Sequence, residues 1–203
     1  MTKAGKKVLN AAKTIDGTQL SHKRIESRLR EIARLIEEHY GESGKTSESA
    51  PLIVQVLFGA FVIYPMLLTK FSVEFPTYVG AIRAKSYREN GVRSGVEITN
   101  PMFDCELDNK RILIIDDIVE SGQTLLALKK WFEERGVADV RSFALLDKPT
   151  KRTFDIEVDW VGFQLEPDQW VVGLGLDDNN LYRHFNNVVV VSEPKPKAIG
   201  KPR

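Results

Sequence analysis

Two adjacent carboxylates and the small polar turn that follows them are the residues of this chain best suited to chemistry. Asp116 and Asp117 end an apolar run at 112–115, and a turn at 120–124 with the sequence Glu-Ser-Gly-Gln-Thr comes two residues later. Backbone N–H groups and hydroxyls of such a turn can surround a phosphate at the positive end of the following helix. Paired carboxylates can accept hydrogen bonds from sugar hydroxyls or hold Mg²⁺. The pattern predicts a phosphate and sugar site at the carboxyl edge of a parallel sheet.

The acid inside the turn, Glu120, needs a different role, because a carboxylate does not favour phosphate binding. We expect it to act as a general base. The alternative is an ordinary strand–helix turn whose polar residues only cap a helix, and two adjacent acids alone do not exclude it. The whole stretch 111–124, RILIIDDIVESGQT, favours the nucleotide site.

Size and composition are those of a single globular domain. The chain has 203 residues, of which 42% are hydrophobic and 28% charged, and this length suffices for a substantial core. The apolar stretch at 56–68 is broken by Gly59 and Pro65 and is too short to span a bilayer. No apolar segment typical of a signal peptide follows the basic N-terminus. The single cysteine, Cys105, excludes an internal disulfide, so we expect a cytoplasmic protein without a membrane partner.

Positive charge is concentrated at the two ends. Residues 1–13 and 194–203 carry eight Lys and Arg side chains and no acid, so the net charge of +1 leaves −7 for residues 14–193. We expect the ends to be flexible and basic. An acidic body argues against a nucleic-acid surface and suits a metal-dependent enzyme that acts on phosphates.

The elements that would position these residues alternate along the chain. Apolar spacing predicts helices at 21–39, directly after Gly59-Ala60, and at 123–135. Apolar runs predict strands at 52–58, 77–83, 111–115, 140–146, 158–163 and 187–192. This alternation is typical of a doubly wound, mostly parallel α/β sheet. Residues 86–105 are polar and lack core periodicity, which indicates a functional flap or a hairpin.

The stretch 111–124 resembles the binding motif for phosphoribosyl diphosphate (PRPP) of type I phosphoribosyltransferases. From about residue 50 to 192 the chain resembles the hypoxanthine-guanine phosphoribosyltransferases, because four ordered stretches match: 56–60, 82–87, 111–124 and 145–183. The resemblance implies one phosphoribosyltransferase domain over 1–203, with a small hood from the chain ends and a mobile flap. It also implies a homodimer or homotetramer. The apolar helix at 60–70 is a candidate interface, or it is buried within the monomer.

The reaction implied by the resemblance is displacement of pyrophosphate from C1′ of PRPP by a purine base, with Mg²⁺ as cofactor. Asp116 and Asp117 would hold the ribose hydroxyls, directly or through metal and water. Glu120 occupies the position of the family's aspartate general base. The 5′-phosphate would be bound by the rest of the turn: Ser121, Gly122, Gln123 and Thr124.

Further roles are carried over position by position. Lys148 would donate to the purine 6-oxo group and so disfavour adenine, whose 6-amino group is itself a donor. Trp170 would stack on the purine, and Val171 would offer backbone groups to its edge. The remaining assignments are Asp177 for a second Mg²⁺ or its waters; Phe58, Gly59 and Arg183 for pyrophosphate; and Ser86 and Tyr87 for the flap.

Three positions depart from the family pattern. Glu120 replaces an aspartate, and Gln123 and Phe58 stand where relatives commonly have lysine. These departures leave the rate and the preferred base open. Xanthine or another purine-like base is one alternative, and a PRPP- or nucleotide-binding regulator without turnover is another.

Overall fold

The computed structural model describes residues 13–14, 19–41, 46, 49–89, 92–166 and 168–191. Two short 3-10 turns, Gly59–Phe61 and Pro149–Lys151, lie beside the site treated below. The helices of this part of the chain are α1 (His22–Tyr40), α2 (Ile63–Leu68) and α3 (Gln123–Glu133). Its strands are β1 (Lys13–Thr14), β2 (Gln19–Leu20), β3 (Leu52–Leu57), β4 (Tyr78–Glu89), β5 (Val92–Phe103), β6 (Arg111–Val119), β7 (Asp139–Asp147), β8 (Trp160–Gln164), β9 (Trp170–Val172) and β10 (Val188–Val191).

A mostly parallel sheet forms the centre of the molecule. Its strand order is β1-β8-β7-β6-β3-β4-β5, and only the β4–β5 pair is antiparallel. β6 and β7 are joined through α3, which is the crossover that a parallel pair requires. The carboxyl ends of β3, β6 and β7 therefore meet at one edge, and the predicted doubly wound fold is confirmed.

Alternate residues of the central strands are buried on opposite faces. Leu113 and Ile115 of β6 pack with α1 and α2, whereas Ile112 and Ile114 pack with α3. Each of these four side chains is fully buried, and burial of one such side chain stabilises the fold by about 1.5–3 kcal/mol. The apolar run before the two acids is continuous because both of its faces are covered.

Helix α1 is fixed at both ends and on its buried face. The Ser21 hydroxyl accepts a hydrogen bond from the N–H of Arg24 at the start, and Gly41 ends the helix with a φ of 53°. Arg28 is 5% exposed and donates to the carbonyls of Val161 and Gly162. These hydrogen bonds attach α1 to β8.

A second, small antiparallel sheet has the order β2-β10-β9. Its strands come from near both ends of the chain, as expected for the hood. Leu20, Val171 and Val188 belong to the same buried cluster as α1 and α2. The small sheet is therefore packed on that side of the central sheet.

The largest difference from the sequence-based elements lies at 77–105. The sequence predicted a strand at 77–83 followed by a polar flap or hairpin, and β4 and β5 form a long hairpin with register shifts between Ala81 and Arg83 and between Tyr87 and Arg88. The hairpin lies at the sheet edge, where polar side chains are tolerated on both faces, so it lacks a clear hydrophobic period. The hairpin alternative of the prediction is confirmed.

Smaller differences concern element ends. The final strand stops at Val191, and Ser192 lies outside the described residues. Lys13 belongs to β1, contrary to the expectation of a flexible end through residue 13, while 1–12 and 194–203 lie outside the described residues. None of the helices in the described part of the chain combines the length and apolarity needed to cross a bilayer.

Candidate active site

The polar turn at 120–124 connects β6 to the start of α3. Gly122 has a φ of 85°, which favours glycine, and the Ser121 hydroxyl accepts a hydrogen bond of 3.3 Å from the N–H of Gln123. A cavity of about 180 Å³ opens above the turn. Its lining is mainly polar and comprises Ser86, Asp116, Ile118, Val119, Glu120, Ser121, Gly122, Thr124 and Leu125. The N-terminus of α3 and three hydroxyl side chains, those of Ser86, Ser121 and Thr124, thus meet at a space that can accept a phosphate.

The two aspartates lie at the floor of the site. The Asp117 N–H donates to the Asp116 carboxylate at 3.0 Å, and the Ile118 N–H donates to the Asp117 carboxylate at 2.9 Å. Burial and the neighbouring Asp117 carboxylate raise the pKa of Asp116 well above its ordinary value, and burial also raises the pKa of Asp117. A buried carboxylate so close to a half-buried one favours a shared proton, a metal ion or donor hydroxyls.

Glu120 and Lys148 form an ion pair across the site. The Lys148 ammonium donates to the Glu120 carboxylate at 2.7 Å. Lys148 is only 3% exposed, so its charge lies in a largely dry environment. Its position is also set by its N–H, which donates to the carbonyl of Val119 at 3.0 Å. A base and a fixed hydrogen-bond donor therefore lie side by side.

A second cavity, of about 140 Å³, lies on the other side of Glu120. It combines an exposed aromatic ring, a buried cation and apolar walls. Its lining residues are Asp117, Ile118, Glu120, Lys148, Trp170, Val171, Leu176 and Asp177. Ile118 and Glu120 line both cavities. The Glu120 carboxylate is therefore placed between a phosphate-type space and a space suited to a flat heterocycle.

Trp170 and Val171 reach the second cavity from β9. Trp170 is 38% exposed although it flanks the buried Val171, and Val171 is paired with Val190 of β10. A partly exposed tryptophan beside a cavity is available for stacking. The structure thus brings together Glu120, Lys148, Trp170 and Val171.

Asp177 and Arg183 lie in the loop after β9 and form an ion pair at 2.5 Å. The other oxygen of Asp177 accepts a hydrogen bond of 2.7 Å from the N–H of Asn180. Arg183 also donates to the carbonyl of Gly175. Burial raises the pKa of Asp117, and the positive charge of Arg183 offsets a part of this effect.

Three site segments are in direct contact through glycines. A methyl group on Gly59 would overlap the Asp117 carboxylate, and a methyl group on Gly175 would overlap the carbonyl oxygen of Gly59. Gly175 also has a φ of 98°. Only residues without a side chain allow the loop after β3, the end of β6 and the loop after β9 to approach this closely.

Phe58 lies next to this contact and is 54% exposed. The guanidinium carbon of Arg83 lies 5.3 Å from the centre of the Phe58 ring. A cation from β4 is therefore present near Phe58, the position for which the family resemblance implied a lysine. Of the two residues expected in the flap, Ser86 lines the first cavity with its hydroxyl 3.4 Å from that of Thr124. Tyr87 is paired with Gly95 within the hairpin.

In the described part of the chain, no three His, Cys, Asp or Glu side chains converge as a metal site. Asp116, Asp117 and Asp177 face the two cavities without forming such a group.

The sequence did not indicate four residues of this region: Arg83, Asp147, Arg152 and Gly175. The sequence signals that could have indicated them are the arginine four residues after Lys148 and the Gly-Leu-Gly spacing before Asp177.

Comparison with known proteins places the chain among enzymes of one class. The family described as phosphoribosyl transferase domain matches residues 20–179. Hypoxanthine phosphoribosyltransferase of Salmonella typhimurium is 33% identical over 177 residues, covering 83% of this chain and 93% of that protein. Hypoxanthine-guanine phosphoribosyltransferase of Bacillus subtilis is 32% identical over 181 residues, covering 87% and 93%.

Solved structures agree with the sequence relatives. A hypoxanthine phosphoribosyltransferase from Staphylococcus aureus superposes with a TM-score of 0.75 at 28% identity, covering 87% of this chain and 91% of that one. The Trypanosoma cruzi enzyme studied for the role of its C-terminal region has a TM-score of 0.78 at 26% identity, covering 90% and 94%. By sequence, fold and the composition of its two cavities, this chain belongs to the hypoxanthine-guanine phosphoribosyltransferases of the phosphoribosyltransferase family.

Proposed function

We propose that this protein transfers the 5-phosphoribosyl group from PRPP to a 6-oxopurine, hypoxanthine or guanine, in purine salvage. The observation that carries the proposal is the junction of the two cavities at Glu120. One cavity has the polar lining that a ribose phosphate needs, and the other has the ring, cation and apolar wall that a purine needs. The names of the relatives support the same substrates.

The 5′-phosphate is bound by the turn before α3. The helix N-terminus and the hydroxyls of Ser121 and Thr124 supply donors to its oxygens. The ribose hydroxyls donate to the carboxylates of Asp116 and Asp117 at the end of β6. C1′ is then directed toward the second cavity, because Ile118 and Glu120 line both spaces.

The purine lies against Trp170 with its 6-oxo group toward Lys148. The buried ammonium supplies a donor that adenine, with a 6-amino group, cannot accept. As the C1′–N9 bond forms and the bond from C1′ to pyrophosphate breaks, the ring gains positive charge. Glu120 accepts the proton that leaves the purine at N7, so the nucleotide product is neutral at the base.

Mg²⁺ fits this site as an ion held largely by the substrate. Since the described residues offer no group of three ligands, one or two carboxylates among Asp116, Asp117 and Asp177 would hold it together with PRPP oxygens, as is usual for Mg²⁺. The ion would neutralise charge on the departing pyrophosphate. Arg183 and the backbone near Phe58 and Gly59 would bind the same pyrophosphate.

Two further properties remain proposals. The free thiol of Cys105 suits a reducing cytoplasm. A homodimer or homotetramer is supported by large exposed apolar side chains such as Phe58, Phe61 and Val73. The apolar face of α2 cannot form the contact between subunits, because its residues Ile63, Tyr64 and Leu67 are buried within the monomer.

The test is to incubate the protein with PRPP and Mg²⁺ and with hypoxanthine, guanine, xanthine or adenine in turn. Nucleotide and pyrophosphate are measured separately. Equal amounts of both products with hypoxanthine or guanine are expected, with little from adenine. Turnover with xanthine alone would show that the substrate is xanthine and not hypoxanthine or guanine. PRPP binding without turnover on any base would contradict the enzyme and favour a regulator.

A further inference from the structure

The segment after β7 packs against the polar turn and donates hydrogen bonds to its backbone carbonyls. The backbone N–H groups of Thr153 and Phe154 both donate to the carbonyl of Ser121, at 3.1 and 3.2 Å. Lys148 donates from its backbone to the carbonyl of Val119. These hydrogen bonds engage the carbonyls of Val119 and Ser121, so they fix the backbone of the turn.

Arg152 makes the most extensive contact within this segment. One of its guanidinium nitrogens donates to the backbone carbonyl of Glu120 at 2.6 Å, and the other forms an ion pair with Asp147. Its Cδ atom lies 2.9 Å from the position that a methyl group on Gly122 would occupy. The side chain is 16% exposed and that of Asp147 is 8% exposed, so both are largely shielded from water.

These contacts hold Glu120 at two points. Lys148 binds its carboxylate, and Arg152 binds its backbone. The planar guanidinium can bond a carbonyl and a carboxylate simultaneously in a fixed orientation, which neither lysine nor an apolar side chain can do. Asp147 is the last residue of β7. Arg152 therefore links the backbone of the turn to the end of a strand in the central sheet.

We propose that Arg152, oriented by Asp147, is a positioning residue that keeps the Glu120 carboxylate between the two cavities. Arg152 lines neither cavity, so it acts through Glu120 and does not contact the reacting atoms. This inference rests on the proposed function, because it assumes that Glu120 accepts a proton during transfer.

The test compares Arg152→Met with Lys151→Met. Both variants remove one positive charge from the same short turn and keep an unbranched side chain, but Lys151 is exposed. We measure kcat, the KM values for PRPP and hypoxanthine, and Tm. For Arg152→Met, kcat should fall roughly 10- to 100-fold with KM changed only a few-fold, because small misplacement of a catalytic group has effects of that order. Lys151→Met should behave as wild type.

A double variant separates positioning from general loss of stability. If Arg152 acts through Glu120, Arg152→Met should have little further effect on kcat in a Glu120→Gln background, since residues acting as one unit are not additive. Independent, multiplying effects would contradict the proposal. So would a wild-type kcat for Arg152→Met per folded molecule.

Arg152→Lys provides the second variant if Arg152→Met fails to fold. It retains the charge beside Asp147 but cannot reproduce the planar contact through two separate nitrogens, so it should fold and show a kcat below wild type. A wild-type kcat for Arg152→Lys would overturn the role of the paired contact. Absence of nucleotide formation by the wild-type protein contradicts the proposed function itself, whereas wild-type turnover with unaffected Arg152 variants contradicts only the positioning role.

Discussion

Glu120 is the residue whose chemistry distinguishes an enzyme from a nucleotide-binding protein. Its carboxylate lies where both cavities meet and is bonded to Lys148 at 2.7 Å. Glu120→Gln keeps the size of the side chain and removes its basicity. We expect kcat to fall by roughly 10²–10⁴-fold, the usual contribution of general base catalysis, while PRPP affinity measured by calorimetry is retained.

The length of Glu120 can be tested separately with Glu120→Asp. The extra methylene lets the carboxylate reach the buried ammonium of Lys148. If the site is otherwise family-like, Asp should support a similar or higher kcat. A much lower kcat for Asp would indicate that the pocket is built around the longer side chain. Full activity of Glu120→Gln on every accepted base would exclude the proton-transfer role.

Lys148 should determine the preference for a 6-oxo group. Lys148→Met keeps the buried volume and removes the donor, so the loss of one charge-assisted hydrogen bond should reduce discrimination between hypoxanthine and adenine by about 1.5–3 kcal/mol. The measurement is the ratio of kcat/KM values for the two bases. Lys151→Met, on the exposed face of the next turn, serves as the control. An unchanged ratio in Lys148→Met would remove Lys148 from the purine site.

The raised pKa of Asp116 makes stability depend on pH in an unusual direction. A carboxyl whose pKa is higher in the folded state than its ordinary value of 3.8 binds more protons when folded. The stability that the Asp116 carboxyl contributes is fully present below pH 3.8. It is lost as the pH rises through the pKa of the folded state. Asp116→Asn keeps the acceptor for the Asp117 N–H and cannot ionise. Without metal or substrate, it should therefore be more stable than wild type at pH 7.

The same comparison has a built-in control at low pH. Below the ordinary pKa both proteins carry a neutral group at position 116, so urea unfolding should give similar free energies there. A variant that is less stable than wild type at pH 7 would show that the buried charge is compensated in the free protein. Activity of Asp116→Asn should be low in either case if Asp116 binds the ribose.

Among the elements, the loop after β9 is held against the loop after β3 by the Gly175–Gly59 contact. Gly175→Ala combines backbone strain at a φ of 98° with overlap against the Gly59 carbonyl. Gly136→Ala has similar strain at a φ of 74°, but its methyl group would meet only Asp108 Oδ1, at 3.3 Å. Each variant should lose about 1–2 kcal/mol from strain, measured by urea unfolding.

Only Gly175→Ala should change substrate binding, because only Gly175 touches the loop after β3, for which we propose pyrophosphate binding. We expect its KM for PRPP to rise and that of Gly136→Ala to remain at the wild-type value. Equal KM values in the two variants would show that the contact between loops is structural alone.

At the scale of the whole molecule, the site joins segments from three strand ends and from the small sheet. In the proposed binding mode PRPP with Mg²⁺ would contact several of these segments at once, so it should stabilise the whole fold. At a ligand concentration of 100 times Kd the gain is about 2.7 kcal/mol, visible as a higher Tm. A chelator should abolish this shift, and Glu120→Gln should retain it. A shift of the same size with the chelator present would contradict the magnesium requirement.

The elements around Asp116 could be predicted from the sequence alone. The apolar run before Asp116, the polar turn and the amphipathic pattern after it predict a strand, a phosphate turn and a helix, because each depends on neighbouring residues. The α/β class follows from their alternation. The hairpin β4–β5 was recognised only as one of two possibilities, since an edge hairpin with polar residues has no hydrophobic period.

The tertiary structure decided which residues share the site. The bond from Lys148 to Glu120 joins positions 28 residues apart and that from Arg152 to the Glu120 carbonyl 32, and the contact of Gly175 with Gly59 crosses half the chain. Such contacts depend on the strand order and on how far each strand extends beyond its neighbour. Sequence patterns report which side of an element is buried, but only packing in three dimensions sets the distances between strand ends.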